Sequence, residues 1–241
     1  MTIQTRTVAY RDADQPLEGY LCWDDTPSQP DVRPGVLVAH TWRGRGPFEE
    51  AKARQLAQLG YVGFALDLFG RGVLGSSVEE NRALMKPFMT DRTLLQRRMQ
   101  LAVAEIRSQK EVDDAHIAAI GFCFGGLCVL DLARTGADID GVVSFHGLFT
   151  PPGNTDGNRI SAKVLAMHGW EDPMATPEQL AGLGHELTKM GADWQIHAYG
   201  NAMHAFTNPD ANDPEFGTVY HEAADRRSWN SMRAFLSEIF A

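Results

Sequence analysis

The stretch that decides the fold of this chain is His116-Ile117-Ala118-Ala119-Ile120-Gly121-Phe122-Cys123-Phe124-Gly125-Gly126. A short apolar run enters a glycine-flanked cysteine, and a predicted helix follows through Leu132. This pattern matches the G-x-S-x-G nucleophile motif between a strand and a helix, with cysteine in the serine position. Glycine at both flanks leaves room for a tight turn, and the helix N-terminus favours a thiolate over a thiol. We predict that Cys123 is a nucleophile; the alternative is a buried structural cysteine.

Outward from this motif, predicted strands and helices alternate along the chain. Further apolar strands lie at residues 36–39, 61–66, 142–145 and 164–167, and an alternating strand lies at 194–199. The other helices lie at residues 48–59, 91–110, 177–190 and 219–240, and an alternating strand pair at 4–10 and 17–23 precedes them. Repeated strand–helix units predict an α/β fold, with helices on both faces of a mostly parallel sheet and an antiparallel strand pair at the N-terminus. We expect one domain over residues 1–241, with the proline-rich segment 26–34 as a loop.

Composition excludes several classes of protein. The chain has 241 residues, 44% of them hydrophobic, and a formal net charge of −9. Disorder is therefore not expected, and an acidic chain is not expected to bind nucleic acid or an anionic membrane. Three cysteines without a secretory leader do not form a disulfide framework, so we expect a protein of the reducing cytoplasm with free thiols.

A thiol nucleophile needs a base, and the base needs an orienting carboxylate. Asp172 lies in a loop after the predicted strand at 164–167, and His204 lies in a loop after the strand at 194–199. The order Cys123, Asp172, His204 is nucleophile, acid and base, and loops at the carboxyl ends of parallel strands meet at one edge of a sheet. Glu171 is the rival carboxylate, which we rank below Asp172 because the Asp-Pro turn presents a short side chain stiffly.

The other histidines are alternatives to His204 as the base. Three of them end predicted strands and are candidates to line the site: His40, His146 and His168. The remaining four are expected to be structural or solvated: His116, His185, His197 and His221.

The oxyanion of an acyl-transfer reaction needs amide donors. One is expected to be the amide of Phe124, directly after the nucleophile, and the second to be Trp42, in the loop after the strand at 36–39. We also predict that the substrate contacts Thr41, Arg43, Trp170 and Phe206, although the aromatic residues could equally belong to the core.

Taken together, these motifs resemble the dienelactone hydrolase family, the cysteine-nucleophile branch of the α/β-hydrolases. The resemblance rests on residues 121–126, on His168-Gly169 followed by Asp172, and on His204 before Ala205-Phe206, and it covers the chain from about Gly35 onwards. It implies the α/β-hydrolase fold, a triad of Cys123, His204 and Asp172, and hydrolysis of small-molecule esters or lactones through an acyl-enzyme. It implies no metal and no organic cofactor.

Two positions depart from the family pattern. Thr41 stands where the best-known members carry a glutamate, and Asn208 stands where they carry an arginine that holds the substrate carboxylate. We therefore expect a different ester or lactone as substrate, such as an uncharged one.

Two alternatives to this function stay open at the level of sequence. The same thiolate could attack an activated phosphotriester, or the chain could be a non-catalytic binding protein with a hydrolase fold. The sequence permits either a monomer or a homodimer.

Overall fold

The structure is a computed structural model that describes residues 2–26, 28 and 30–241. Pro27 and Gln29, in the predicted loop at 26–34, lie outside the described residues. The chain divides into two compact units, Met1–Ile120 and Gly121–Ala241. The single domain over residues 1–241 stays a prediction.

The first unit contains the predicted N-terminal strand pair and two strand–helix repeats. Its elements are β1 (Ile3–Asp12), β2 (Gln15–Asp24), β3 (Arg33–Ala39), α1 (Pro47–Gln58), β4 (Val62–Ala65), α2 (Val78–Thr90), α3 (Arg92–Arg107) and β5 (Val112–Phe122), the last of which ends in the second unit. The strand order is β1-β2-β4-β3-β5. β1 and β2 are antiparallel, with Tyr10 opposite Leu17, whereas β3 and β4 are parallel, with Val36 opposite Gly63. The strand pair is confirmed.

Local chemistry explains where the helices of this unit begin. α1 starts at Pro47, whose missing N–H is tolerated in the first turn of a helix. Asp91 caps α3 by accepting a hydrogen bond from the amide of Leu94 at 3.1 Å, as predicted. α2 is a helix that the sequence pattern does not predict. Pro87 lies inside it and few of its residues are buried, so its apolar stripe is weak.

The second unit begins at the glycine-flanked cysteine. Its elements are α4 (Phe124–Arg134), β6 (Gly141–Phe145), β7 (Lys163–Gly169), α5 (Pro177–Lys189), β8 (Trp194–Tyr199), β9 (Asn212–Asp213), β10 (Thr218–Val219) and α6 (Glu222–Ile239). β6, β7 and β8 are parallel neighbours in that order. β6 is buried along its whole length, and β7 along all but its first residue, as expected for strands covered on both faces.

The closing helix starts later than predicted. The predicted boundary at residue 219 is wrong, because Val219 belongs to β10. His221 is also not a helix residue: it is the N-cap of α6, and its Nδ1 accepts a hydrogen bond from the amide of Ala224 at 3.2 Å. β9 and β10 have only two residues each, which is too short to leave a periodic pattern.

The α/β class with a mostly parallel sheet is confirmed. Over the described residues, no helix is both long and apolar enough to cross a membrane.

Candidate active site

The turn between β5 and α4 holds Cys123 in a backbone conformation that is uncommon outside glycine. Its φ is +57°, and it is the N-cap residue of α4. Gly121 makes the turn possible, because a Cβ atom there would lie 2.1 Å from the carbonyl oxygen of Gly125. The predicted strand, tight turn and helix are therefore present around the sulfur.

The environment of Cys123 differs from that of the other two cysteines. It is partly exposed, whereas Cys22 and Cys128 are buried. Burial raises the pKa of the Cys22 thiol to about 11, so that residue is a poor nucleophile. Phe124 is the first residue of α4, where helix geometry supplies no acceptor for its amide within the helix. This is the place at which an amide could stabilise an oxyanion.

Asp172 follows β7 and makes two hydrogen bonds through its carboxylate. Oδ1 accepts from the amide of Met174 at 2.8 Å, and Oδ2 lies 2.7 Å from Nδ1 of His204. Asp172 is buried, whereas Glu171 is exposed. The structure therefore brings Asp172, rather than its neighbour, to His204.

The loop that carries His204 is tied to the Asp172 loop and to β10. The amide of Trp170 donates to the carbonyl of Tyr199, and the amide of Glu171 donates to the carbonyl of Ala202, both at 2.9 Å. The amide of His204 donates to Gly217 at 3.0 Å, and its carbonyl accepts from Val219 at 3.1 Å. These backbone bonds hold the loop in place, and the bond to Asp172 orients the imidazole.

The electrostatics of His204 connect it to both Asp172 and Cys123. Burial lowers the pKa of His204, but a charge on Cys123 and the hydrogen bond to Asp172 outweigh burial and raise this pKa to about 10. Its Nε2 is buried and makes no hydrogen bond of normal geometry with any described residue. Cys123 nevertheless lies close enough for its charge to act on the ring. The arrangement is suited to a thiolate–imidazolium pair.

Of the three histidines predicted to end strands, His146 and His168 lie in the second unit. His146 is buried, accepts a hydrogen bond from the amide of Cys123 at 3.1 Å, and lies 2.8 Å from Oγ1 of Thr207. His168 is buried with its ring centroid 5.2 Å from that of Phe149, and burial lowers its pKa. Neither is in the position of His204 against a carboxylate.

His40, the third, lies in the first unit, where it begins the loop that holds the predicted oxyanion donor. Its Nε2 accepts from the amide of Leu68 at 3.1 Å, so Nδ1 carries the proton and donates to the carbonyl of Thr41 at 2.6 Å. The buried Glu49 accepts from the amides of Thr41 and Gly46, both at 3.0 Å. These contacts hold the loop rigid at both ends.

The predicted contact residues differ widely in exposure. In the first unit, Trp42 and Thr41 are half-buried, while Arg43 is exposed, with its Nε 3.4 Å from the carbonyl of Gly75. In the second unit, Trp170 is 48% exposed, but Phe206 is fully buried. The ring of Phe206 packs against other buried residues and is a core side chain in this structure.

Sequence reasoning did not single out Thr207 or Met174, which bond to His146 and Asp172 respectively. Their role depends on the folding of loops around a site, and their own residue types carry no signal of it.

Across the described ranges, no group of three or more His, Cys, Asp or Glu side chains is arranged to hold a metal ion.

Comparison with known proteins identifies the family to which the chain belongs. The model of the dienelactone hydrolase family matches residues 17–240. The chain belongs to the dienelactone hydrolase family. It is therefore a hydrolase, and the predicted α/β-hydrolase fold is confirmed.

Two solved structures and one lactonase are among the proteins similar to this member of the dienelactone hydrolase family. A dienelactone hydrolase-like promiscuous phosphotriesterase from metagenomic libraries is 35% identical, with a TM-score of 0.92 and 100% of both chains covered. The structure named m3DLH is 36% identical, with a TM-score of 0.94 and the same coverage. A Bradyrhizobium protein named "Probable 2-oxo-3-(5-oxofuran-2-ylidene)propanoate lactonase" is 25% identical over 213 residues, which are 84% of this chain and 83% of that protein.

Proposed function

We propose that this hydrolase cleaves carboxylic esters or lactones through a thioester intermediate on Cys123, with His204 as base and Asp172 as its orienting carboxylate. The observation that carries the proposal is the 2.7 Å contact between Asp172 and His204, in a buried setting where the second ring nitrogen is left for Cys123. This is the arrangement of base and orienting group that an activated nucleophile requires.

Acylation begins with attack of the thiolate on the substrate carbonyl carbon. The carbonyl π electrons move to oxygen, and the amide of Phe124 donates to the oxyanion. When the tetrahedral intermediate collapses, the carbon–oxygen bond breaks and the imidazolium of His204 gives its proton to the departing alkoxide. For a lactone, the leaving alcohol stays attached to the acyl group. The loop residue Trp42 stays our prediction for the second amide donor.

Deacylation needs His204 as a neutral base, and the causes of its raised pKa explain how it becomes one. In the thioester, Cys123 has no negative charge, so the largest influence that raises the pKa of His204 is gone while burial still lowers it. The ring, which has already given its proton to the leaving alkoxide, therefore stays neutral and can accept a proton from the attacking water. Hydrolysis of the thioester restores the thiolate–imidazolium pair.

The nucleophile is tested by mass spectrometry after mixing with nitrophenyl esters. Native protein should gain the mass of one acyl group on Cys123 and release a burst of nitrophenol. Cys123→Ala should show neither and should melt like the native protein, whereas the control Cys128→Ala should keep the adduct. Full activity of Cys123→Ala would remove the nucleophile assignment. A stable native protein without any adduct or burst would instead favour a binding role.

The substrate class is proposed from the two departures from the family pattern. With Thr41 and Asn208 in place of a glutamate and an arginine, the chain lacks the family's arginine that holds the substrate carboxylate from position 208. We infer a preference for uncharged esters or lactones. Rates for matched methyl-ester and free-acid forms of one substrate test this, and faster turnover of the acid form would contradict it.

A second candidate reaction is hydrolysis of activated phosphotriesters by the same thiolate. It is favoured by the similarity to the promiscuous phosphotriesterase, at 35% identity over the whole chain. Turnover of a nitrophenyl phosphotriester relative to nitrophenyl acetate separates the two candidates. Both activities should disappear together in Cys123→Ala if one nucleophile serves both.

A further inference from the structure

His146 connects the turn of the nucleophile to the loop of the base. It follows β6, and its Nδ1 accepts from the amide of Cys123 at 3.1 Å. Its Nε2 lies 2.8 Å from Oγ1 of Thr207, which is three residues beyond His204 on the same loop. One imidazole therefore bridges the two segments on which the proposed chemistry depends.

The two partners fix the protonation of this ring. A backbone amide can only donate, so Nδ1 of His146 must be an unprotonated acceptor, and Nε2 must carry the proton of the neutral ring. Nε2 then donates to the Thr207 hydroxyl. The hydrogen bonds consequently run in one direction, from Cys123 N–H to Nδ1 and from Nε2–H to Thr207.

The ring of His146 also packs against the base. Its centroid lies 5.2 Å from that of His204 and 5.0 Å from that of Phe206, with both pairs steeply inclined. His146 has a φ of +38°, which few residue types other than Gly, Asn, Asp and His adopt readily. A strained backbone that persists in a buried site is characteristic of functional regions.

The Cys123 amide has a second acceptor, so replacing the His146 ring should disturb the positions of the reacting groups without unfolding the turn. It also donates to the carbonyl of Phe145 at 3.0 Å, and the amide of His146 donates to the carbonyl of Met167 at 2.8 Å. These backbone bonds remain when the imidazole is replaced. What is lost is the side-chain bridge between the turn and the His204 loop.

We propose that His146 is a positioning residue, which holds the turn of Cys123 and the loop of His204 together through its bonds to the Cys123 amide and to Thr207. The inference rests on the proposed function for the roles of Cys123 and His204. In this proposal His146 acts through Cys123 and His204 and not by contact with the substrate.

The test compares three variants of the full chain. His146→Phe keeps an aromatic ring but removes both nitrogens. His146→Asn keeps an acceptor close to the position of Nδ1 and tolerates a positive φ. Thr207→Val removes only the hydroxyl partner. His185→Phe is the matched control, since His185 is an exposed histidine on α5.

The first readout is the rate of alkylation of Cys123 by iodoacetamide as a function of pH, followed by mass spectrometry, which needs no ester substrate. We expect His146→Phe to shift the alkylation profile to higher pH and to lower kcat for nitrophenyl acetate by about 10²-fold, the cost of a small misplacement, with KM nearly unchanged. His146→Asn should recover most of that loss, and Thr207→Val should lie between His146→Phe and the native protein.

A native-like alkylation profile and kcat in His146→Phe would overturn the proposal, as would equal impairment of the Asn and Phe variants. Should His146→Phe fail to fold by circular dichroism, a native-like alkylation profile and kcat in Thr207→Val would overturn the proposal as well. If the native protein hydrolyses no ester while the alkylation profiles move as expected, the proposed function fails and the positioning role stands.

Discussion

Replacing Asp172 by asparagine tests how the acid controls the base. Oδ1 of Asp172 accepts from the amide of Met174 at 2.8 Å, so the oxygen of an asparagine amide would keep that bond and turn its NH₂ group towards His204. The opposite orientation would place NH₂ against the Met174 amide. In the first orientation the NH₂ group faces the Nδ1 proton of His204, unless the imidazole moves that proton to Nε2. In the second, the two donors that face each other are the NH₂ group and the Met174 amide.

A proton on Nε2 leaves the neutral ring unable to accept one from the thiol or from water. Asp172 and His204 are both almost fully buried, so solvent cannot replace the lost acceptor. The corresponding substitution in a serine protease triad lowers kcat about 10⁴-fold. We expect Asp172→Asn to lower kcat for nitrophenyl acetate by about 10³- to 10⁴-fold, a barrier increase of about 4–5 kcal/mol.

The assay is steady-state and burst kinetics with nitrophenyl acetate, with folding checked by thermal melting. Glu171→Gln is the matched control, because that carboxylate is adjacent but exposed, and it should stay within about twofold of native. Activity of Asp172→Asn within tenfold of native would refute the reasoning. A large decrease in kcat for Glu171→Gln together with a small decrease for Asp172→Asn would show that Glu171 is the orienting carboxylate.

Three other predictions concern the turn, the core and the pH response. Gly121→Ala should lower the free energy of unfolding by about 1–3 kcal/mol and reduce activity, since its Cβ would clash with backbone. Gly182→Ala is the control: its Cβ would lie in open space within α5, and it should stabilise the protein by about 1 kcal/mol. A reversed order of stability in urea melts would contradict this. Arg134→Met leaves two carboxylates without their buried partner and should cost about 3–5 kcal/mol in the same assay; a loss below 1 kcal/mol would refute it. Iodoacetamide should label Cys123 well below pH 8 if the thiolate pairs with His204, because a thiolate beside the ring and the hydrogen bond to Asp172 both raise the pKa of His204 and so favour the paired ions; labelling only near the free-thiol pKa of about 8.5 would contradict the pairing.

Much of the scaffold follows from local sequence. Alternation of apolar and polar residues placed β8 at its observed bounds, and Asp91 predicted the start of α3 because a capping side chain acts on amides two or three residues away. The glycine-flanked Cys123 predicted a tight turn for a similar reason, since Gly121 and Gly125 touch within five residues.

Contacts between distant segments were decided only by the tertiary structure. The choice between Asp172 and Glu171 depends on which carboxylate turns inward, and the bridge from Cys123 through His146 to Thr207 joins residues up to 84 positions apart. At the level of sequence, Phe206 fitted the pocket and the core equally well, and its complete burial places it in the core. Local propensities act over a few residues, whereas burial and hydrogen-bond partners depend on which segments the folded chain brings together, so the sequence determined the elements and their order while the packing determined the neighbours of each side chain.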